Sequence, residues 1–252
     1  MIPNYFDLTG KVALITGGSR GIGLSIAKGM AECGAQILLC GRNPVSLDQA
    51  RATIGGSVVT AVTDVADESA VIELRETVQR QFGRLDILVN NAGIDPHYAP
   101  LEHTDVADWR NVLDTNLNGV FYCCKHLGGL MIPAKAGSII NIGSVAGRVA
   151  LKRQVPYCAS KGGVEQLTRA LAIDWAEHGI RVNAIGYGFI KTDLTSGMTD
   201  HPHIAPKLLA RTPLGRFGEL SEVAGAAIFL ASPSASYVTG HTLMVDGGWT
   251  AA

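Results

Sequence analysis

A tyrosine and a lysine four residues apart, Tyr157 and Lys161, are the side chains best suited to acid–base chemistry. Residues at this spacing lie on one face of a helix, one turn apart. A free tyrosine has a pKa near 10, and lowering it to about 7 requires roughly 4 kcal/mol of preferential stabilisation of the phenolate. One ammonium group about 4 Å away supplies roughly that much at an effective dielectric constant of about 20. The pair therefore predicts a tyrosine that exchanges a proton with a substrate near neutral pH.

Two further motifs accompany the pair, which by itself occurs in many helices. Ser144 follows an apolar segment, and its hydroxyl could bond a carbonyl or alkoxide oxygen. Near the start of the sequence, an apolar run ends in a glycine-rich segment with Gly17, Gly21 and Gly23. Glycine allows a tight turn and a close approach of the backbone to a pyrophosphate, and a helix N-terminus offers free N–H groups. The motifs together indicate a dinucleotide site beside an acid–base group.

Predicted strands and helices alternate along the chain, which is typical of an α/β fold with a parallel sheet. Apolar runs predict buried strands at residues 11–16, 36–40, 57–62, 85–89, 138–142, 180–185 and 242–245. Helix signals are found from Gly21 to Gly34, from Asn43-Pro44 onward, from Asp67 to Phe82, from Thr104 or Asp105 to about Met131, from Pro156 to His178, and from a Ser221 cap to about Leu230. Residues from about 187 to 218 are predicted to be irregular. No linker divides the chain, so we expect a single domain.

Asn91-Ala92-Gly93 follows Asn90 at the end of the fourth predicted strand, and with it the sequence resembles the short-chain dehydrogenase/reductase family over nearly its whole length. The resemblance implies a Rossmann-type, doubly wound, seven-stranded parallel sheet with helices on both faces, in one NAD(P)-binding domain over residues 1–252 with a substrate loop at about 187–218. It also implies four catalytic residues: Asn116, Ser144, Tyr157 and Lys161. Tyr157 would be the base in oxidation and the acid in reduction, and Asn116 would hold a water against the lysine.

The residues that the resemblance assigns to cofactor binding lie in four parts of the chain. They are Gly17, Ser19, Arg20, Gly21, Ile22 and Gly23 at the phosphates, Arg42, Asp64 and Val65 toward the adenosine, Asn91, Ala92, Gly93, Tyr157 and Lys161 beside the nicotinamide ribose, and Ile190 and Thr192 at the carboxamide. An NAD site usually shows an acid after the second strand, but this sequence has Arg42 there. Arg42 and Arg20 could hold a 2′-phosphate, which favours NADP. If Arg42 is only a solvated loop residue, NAD could still bind through its ribose.

The sequence departs from the family pattern after the sixth predicted strand, where Tyr187 replaces the usual proline. Tyr187 could reach the substrate or the nicotinamide face. The substrate residues that we expect are Ser144, Gln154, Tyr187 and Met198, with Asp95, His97 and Ala146 as further candidates for the wall of the site. Arg148, Lys152 and Arg153 precede Tyr157, and they either receive an anionic substrate or are solvated loop charges.

Net charge, hydropathy and cysteine spacing argue against several classes of binding partner. A net charge of −1 gives no electrostatic case for nucleic acid or an anionic membrane, and no apolar run is long enough to span a bilayer. The first residues show no signal-peptide pattern. The five cysteines form no Cys-x-x-Cys pair, so we expect no zinc or other metal and no disulfide framework. We expect a cytoplasmic protein. The resemblance implies a homotetramer, with residues 105–131, 156–178 and 239–252 at subunit interfaces.

Three functions are compatible with these residues. The leading hypothesis is an NAD(P)(H)-dependent oxidoreductase that interconverts a secondary alcohol and a ketone, with a small ketone, a polyol or a sugar acid as substrate. The alternative is a 3-oxoacyl-thioester reductase, for which the three cations before Tyr157 would hold an acyl carrier. A non-catalytic nucleotide-sensing scaffold is the third, and the presence of all four expected catalytic residues argues against it.

Overall fold

The computed structural model describes residues 5–251 and shows one parallel sheet of seven strands in the order β3-β2-β1-β4-β5-β6-β7. The strands are β1 (Val12–Thr16), β2 (Gln36–Gly41), β3 (Val59–Val62), β4 (Ile87–Asn90), β5 (Gly137–Ser144), β6 (Ile180–Tyr187) and β7 (Thr242–Val245). The chain progresses outward in one direction from β1 to β3 and in the other from β4 to β7. Ligands of such sheets bind outside the carboxyl ends of the strands, where the order reverses. The expected doubly wound fold is confirmed.

Helices cover both faces of the sheet. They are α1 (Gly21–Glu32), α2 (Pro44–Ile54), α3 (Glu68–Phe82), α4 (Val106–Leu113), α5 (Gly119–His126), α6 (Val155–Asp174), α7 (Ser196–Thr199), α8 (Ala205–Ala210) and α9 (Ala224–Ala231). One apolar core packs α1, α2 and α9 against alternate strand residues such as Ile15 and Ile140. A second core packs α3, α5 and α6 against the opposite face, at Leu14 and Ile139. Both faces of each central strand are therefore buried, as the continuous apolar runs predict.

Several helix ends follow the local sequence. The Asn43 side chain accepts a hydrogen bond from Ser46 N at 3.1 Å and caps α2. Asp67 accepts one from Ser69 N at 2.9 Å and caps α3, which ends at Gly83 in the left-handed conformation, φ +68°. Glycine carries no Cβ and adopts this conformation without strain. The predicted start of α2 and both predicted ends of α3 are confirmed.

Two predicted helices differ from the structure. The long helix expected up to Met131 is interrupted after α4 by a π-helical turn, Asp114–Asn118, before α5 begins. The predicted Ser221 cap is wrong. Glu219 occupies the cap position, its backbone N–H donates to Glu222 Oε2 at 2.9 Å, and a 3₁₀ turn precedes α9. This capping box forms because the Glu222 carboxylate is also held by Arg216 at 2.7 Å.

The carboxyl ends of β5 and β6 lie two residues beyond their predicted positions, at Ser144 and Tyr187. The substrate loop is also more ordered than expected, since it contains α7 and α8. Residues 1–4, on which the signal-peptide expectation depended, and Ala252 of the expected interface tail lie outside the described residues. From residue 5 to residue 251, no helix combines the length and apolar character needed to cross a bilayer.

Candidate active site

The glycine-rich loop is built around Asn91, whose side chain joins the ends of β1 and β4. Asn91 Nδ2 donates to Thr16 O at 2.9 Å and to Gly17 O at 3.0 Å. Thr16 Oγ1 in turn accepts from the backbone N–H groups of Asn91 and Ala92, at 2.9 and 3.0 Å. Gly17 has φ +60°, and a Cβ there would lie 2.9 Å from Ala92 Cα. The close approach of the two loops therefore requires glycine. Sequence reasoning missed this role of Thr16.

A cavity of about 500 Å³ opens at the carboxyl ends of β1 and β4. With the exception of Gly23, which lies behind the loop, every residue expected to bind the cofactor lines this cavity: Gly17, Ser19, Arg20, Gly21, Ile22, Arg42, Asp64, Val65, Asn91, Ala92, Gly93, Tyr157, Lys161, Ile190 and Thr192. Its volume lies in the range of cofactor and ligand pockets. The N-terminus of α1 lies at the cavity and supplies free N–H groups and a partial positive charge. These residues fit a dinucleotide.

The structure brings Ser144, Tyr157 and Lys161 together at one end of this cavity. Tyr157 and Lys161 lie one turn apart near the start of α6, and Ser144 is the last residue of β5. Lys161 Nζ lies 5.6 Å from the centre of the Tyr157 ring and donates to Ile142 O at 2.8 Å. The Ser144 hydroxyl lies close enough to Tyr157 to lower the pKa of its phenol. A substrate oxygen could therefore meet both hydroxyl groups at once.

The electrostatics of Tyr157 differ from the sequence-based arithmetic. The pKa of Tyr157 is raised to about 12, mainly by desolvation and to a smaller extent by the charge of Asp95, while Ser144 opposes the rise. Desolvation also lowers the pKa of Lys161 to about 8. The lysine alone therefore does not make the phenol acidic, because burial acts more strongly on its pKa than the neighbouring ammonium. Without a bound cofactor, Tyr157 is a neutral hydrogen-bond donor.

Asn116 lies in the π-helical turn and is fully buried, so it is not an exposed helix residue. Its Oδ1 accepts from Ile94 N at 2.8 Å, and its Nδ2 donates to Ile94 O at 2.8 Å and to Ser160 Oγ at 3.2 Å. Ser160 Oγ also donates to Tyr157 O at 2.8 Å. Asn116 thus fixes the loop after β4 against the start of α6. Wide helical turns of this kind occur frequently at functional sites.

The expected substrate residues occupy different environments. Gln154 is buried and donates a hydrogen bond to Asp95. Met198 is half-buried on α7 and does not line the cavity. Both ring nitrogens of His97 have partners, Thr104 Oγ1 at 2.8 Å and Asp108 Oδ2 at 3.3 Å, so the ring is not free to contact a substrate. The buried residue Ala146 follows Ser144 and donates its N–H to Ser144 Oγ at 3.1 Å.

Tyr187 is one of the residues that line the cavity, and its contact with the substrate stays a prediction, although its hydroxyl is bonded within the fold. Tyr187 is only 3% exposed, and its hydroxyl donates to Val223 O at 2.7 Å, beside α9. Desolvation raises the pKa of Tyr187 well above its ordinary value, so the phenol is neutral. The hydroxyl therefore anchors β6 to the α9 region, which the usual proline at this position could not do.

We expect Tyr187→Phe to destabilise the protein by about 1 kcal/mol, the typical contribution of one buried hydrogen bond. For a chain of this length, that corresponds to a decrease of roughly 2–4 °C in Tm, measured by thermal unfolding. The KM for substrate should be unchanged within about twofold, because the lost hydroxyl bonds only within the fold. A raised KM with an unchanged Tm would instead place the hydroxyl in the substrate site.

The three cations between Ser144 and Tyr157 do not converge on one point. Arg148 Nε lies 3.3 Å from the buried Glu165 carboxylate. The Arg153 guanidinium lies over the Tyr98 ring, 5.7 Å from its centre, and Lys152 is exposed. Arg148 is therefore a structural partner of α6, and none of the three cations lines the cavity.

The two arginines expected at the adenosine end are exposed and weakly paired. Arg42 Nη1 lies 3.9 Å from Asp64 Oδ2, and Arg20 Nη1 lies 3.2 Å from Asp193 Oδ2. Such exposed pairs contribute little, so either guanidinium can turn toward a phosphate. Across residues 5–251, no group of three or more His, Cys, Asp or Glu side chains is arranged to hold a metal ion.

Comparison with known proteins agrees with this site. A family model described as enoyl-(acyl carrier protein) reductase matches residues 17–250. Gluconate 5-dehydrogenase of Gluconobacter oxydans (strain 621H) is 44% identical over 251 residues, covering 98% of each chain. Galactitol 2-dehydrogenase (L-tagatose-forming) of Cereibacter sphaeroides is 44% identical over 248 residues, covering 97% of each chain.

A solved structure shows the same architecture with a cofactor present. The crystal structure of a gluconate 5-dehydrogenase from Burkholderia cenocepacia J2315, in complex with NADP and tartrate, is 41% identical and superimposes with a TM-score of 0.94. The match covers 99% of this chain and 98% of that one. The fold, the dinucleotide cavity and these matches together show that this protein belongs to the short-chain dehydrogenase/reductase family, whose members are NAD(P)-dependent oxidoreductases acting on alcohol groups.

Proposed function

We propose that this protein interconverts a secondary alcohol of a small polyol or sugar acid with the corresponding ketone, using Tyr157 as general acid and base. The observation that carries the proposal is the convergence of Ser144, Tyr157 and Lys161 at the end of a cavity that fits a dinucleotide. The names of two relatives, a gluconate and a galactitol dehydrogenase, support this substrate class.

In this proposal, backbone groups of the loop from Gly17 to Gly23 hold the diphosphate, and Ile190 and Thr192 hold the nicotinamide carboxamide. A bound NADP or NAD would supply the hydride acceptor or donor, and its oxidised form would add a positive charge to the site. Asn91 keeps the loop in the conformation that admits the diphosphate, through its bonds to Thr16 and Gly17.

The chain's own side chains handle the proton. The Ser144 hydroxyl orients the substrate oxygen, and the Tyr157 phenol donates its proton to that oxygen during carbonyl reduction. The raised pKa of Tyr157 favours this donor role, whereas alcohol oxidation requires the phenol to lose its proton first. Lys161 carries its positive charge below pH of about 8 and supports the phenolate form there. Asn116 acts indirectly by fixing the loop and helix that carry these groups.

We propose NADP as the preferred cofactor, because Arg42 and Arg20 line the adenosine end of the cavity without a strong carboxylate partner. Arg42→Ala is expected to raise the Kd for NADPH about 10–100-fold relative to that for NADH, the range of one charge-assisted hydrogen bond. Fluorescence titration with both cofactors measures this ratio. Arg51→Ala removes an equivalent exposed arginine from α2 and serves as the control. An unchanged ratio in Arg42→Ala would contradict the preference.

The reaction is tested by nicotinamide absorbance with a panel of polyols, sugar acids and ketones, each assayed with NADP and with NAD. We expect turnover of at least one polyol or sugar acid. Cofactor binding without turnover of any panel member would instead support a nucleotide-sensing scaffold. Including 3-oxoacyl thioesters tests the alternative reductase, which is less well supported because Arg148 is paired with Glu165 and Arg153 lies over Tyr98.

The proposal includes a cytoplasmic homotetramer with activity toward simple ketones. Exposed apolar side chains on the outer helices support assembly, namely Phe121 on α5 at 45% exposure and Ile173 on α6 at 78%. Isolated chains seldom leave such residues uncovered in groups. Sedimentation velocity measures the oligomeric state, and a monomer at micromolar concentration would contradict this part of the proposal.

A further inference from the structure

Asp95 and Gln154 form a polar pair beside the catalytic groups, and the proposed reaction leaves this pair without a role. Asp95 follows directly after Ile94, which lines the cavity and whose backbone N–H and C=O are both held by Asn116. Gln154 is the cap residue of α6, three residues before Tyr157, and is only 4% exposed. Its Nε2 donates to Asp95 Oδ2. The pair therefore joins the loop after β4, which contains Ile94, to the start of α6, which carries Tyr157.

The second carboxylate oxygen of this pair has no hydrogen bond. Asp95 Oδ1 is buried and finds no partner among residues 5–251. A buried carboxylate oxygen without a donor costs free energy, so native proteins rarely keep one without a function. A water molecule, or a hydroxyl or N–H group of a ligand, can satisfy such an oxygen.

The Asp95 charge acts directly on the catalytic groups, because it raises the pKa of both Tyr157 and Lys161. Desolvation raises the pKa of Asp95 itself to about 6, while Gln154, His97 and Lys161 oppose the rise. At pH 7–8 the group is therefore mainly a carboxylate. Asp95 itself does not line the cavity, but its neighbour Ile94 does, and the Asp95 charge acts on both Tyr157 and Lys161.

The cations of this region are engaged with other groups. Lys161 Nζ donates to Ile142 O, Arg148 pairs with Glu165, and the Arg153 guanidinium lies over the Tyr98 ring. The His97 ring is held by Thr104 and Asp108. A carboxylate here attracts hydroxyl donors and repels a substrate carboxylate.

We propose that Asp95, oriented by Gln154, accepts a hydrogen bond from the substrate hydroxyl adjacent to the reacting carbinol, so that the protein selects neutral vicinal polyols over sugar acids. The inference rests on the proposed function and deepens it by naming one of its two substrate classes. The reaction is the oxidation of one carbinol of a vicinal diol to an α-hydroxyketone. A bound nicotinamide cofactor would accept the hydride, and the phenolate form of Tyr157 would accept the hydroxyl proton.

A matched pair of alcohols tests the hydroxyl contact. Cyclohexanol and cis-1,2-cyclohexanediol differ by one hydroxyl, and the quantity measured is the ratio of their kcat/KM values. Asp95→Leu removes the acceptor and is expected to lower the diol-to-alcohol ratio about 10–100-fold, as sites built to bond a substrate hydroxyl discriminate strongly. Glu102→Gln removes a carboxylate from an exposed position seven residues downstream and should leave the ratio unchanged.

A second pair of substrates tests the effect of the Asp95 charge. Glucitol and gluconate, or galactitol and galactonate, share a carbon skeleton and differ by a carboxylate. The wild-type protein should favour the neutral polyol, and Asp95→Asn should reduce this preference about tenfold, because it removes the like charge but keeps a similar shape. Thermal unfolding and NADPH titration of each variant show that the fold and the cofactor site are intact.

Each outcome decides the inference. A diol-to-alcohol ratio that is unchanged in Asp95→Leu, or a wild-type preference for the sugar acid that Asp95→Asn does not alter, would overturn it while leaving the proposed oxidoreductase intact. Turnover of none of these alcohols by the wild-type protein would overturn the proposed function and the inference together.

Discussion

Tyr157→Phe is expected to lower kcat about a thousandfold while the Kd for NADPH changes by less than about threefold. Positioned general acids contribute 10²–10⁴-fold to a rate, and the hydroxyl is the one atom that the substitution removes. The phenyl ring keeps its position beside Lys161. Steady-state kinetics with the preferred polyol measure kcat, and fluorescence titration measures the Kd.

Tyr237→Phe is the control for this experiment. Tyr237 is fully exposed and is not one of the expected catalytic residues. Its substitution therefore shows the effect of losing a tyrosine hydroxyl elsewhere in the protein. A kcat for Tyr157→Phe within tenfold of the wild-type value would show that another group transfers the proton.

Gly23→Ala is expected to raise the Kd for NADPH at least about 100-fold and to lower Tm. A Cβ at this position would lie 2.4 Å from Asn91 Nδ2 and 2.6 Å from Gly17 O. Overpacking of this kind costs about 1–3 kcal/mol when the neighbours cannot move. Here the neighbours are the Asn91 side chain and the Gly17 carbonyl, which hold the phosphate loop in its conformation. The distortion would therefore change the cofactor site. NADPH titration and thermal unfolding measure the two effects.

Gly225→Ala makes the same chemical change in an open position. Gly225 lies in α9, and a Cβ there has no atom within 4 Å. Alanine is the better helix former, so this variant should be stabilised by about 0.5–1 kcal/mol with cofactor affinity retained. Equal NADPH affinity in Gly23→Ala and Gly225→Ala would contradict the role assigned to the phosphate loop.

The sheet and the cofactor loop could be predicted from sequence because each rests on a local pattern. Apolar runs such as residues 138–142 mark buried strands, and the glycines mark the one turn that must approach a ligand closely. The motif residues then converge because parallel strands bring their carboxyl ends to one edge. Asn116 could be assigned by family position alone, whereas its two bonds to Ile94 emerge only in three dimensions.

Long-range contacts account for what the sequence did not predict. The Tyr187 hydroxyl finds its partner 36 residues away at Val223, which no local pattern indicates. The spacing of Tyr157 and Lys161 establishes that they are neighbours, but it carries no information on burial, which raises the phenol pKa. The unpaired oxygen of Asp95 is likewise a property of the packed site.

The π-helical turn Asp114–Asn118 connects α4 and α5 without a break in the helix. Such a turn contains one residue more than regular α-helix, and one residue corresponds to a rotation of about 100° around the axis. Deleting a single amino acid there would restore uniform winding and rotate all of α5 relative to α4. The apolar seam that buries Val120 and Cys123 would then turn away from the sheet. The position of the Asn116 amide, which bonds Ile94, and the packing of α5 therefore both depend on the number of residues in this turn. An insertion or deletion there would disturb both.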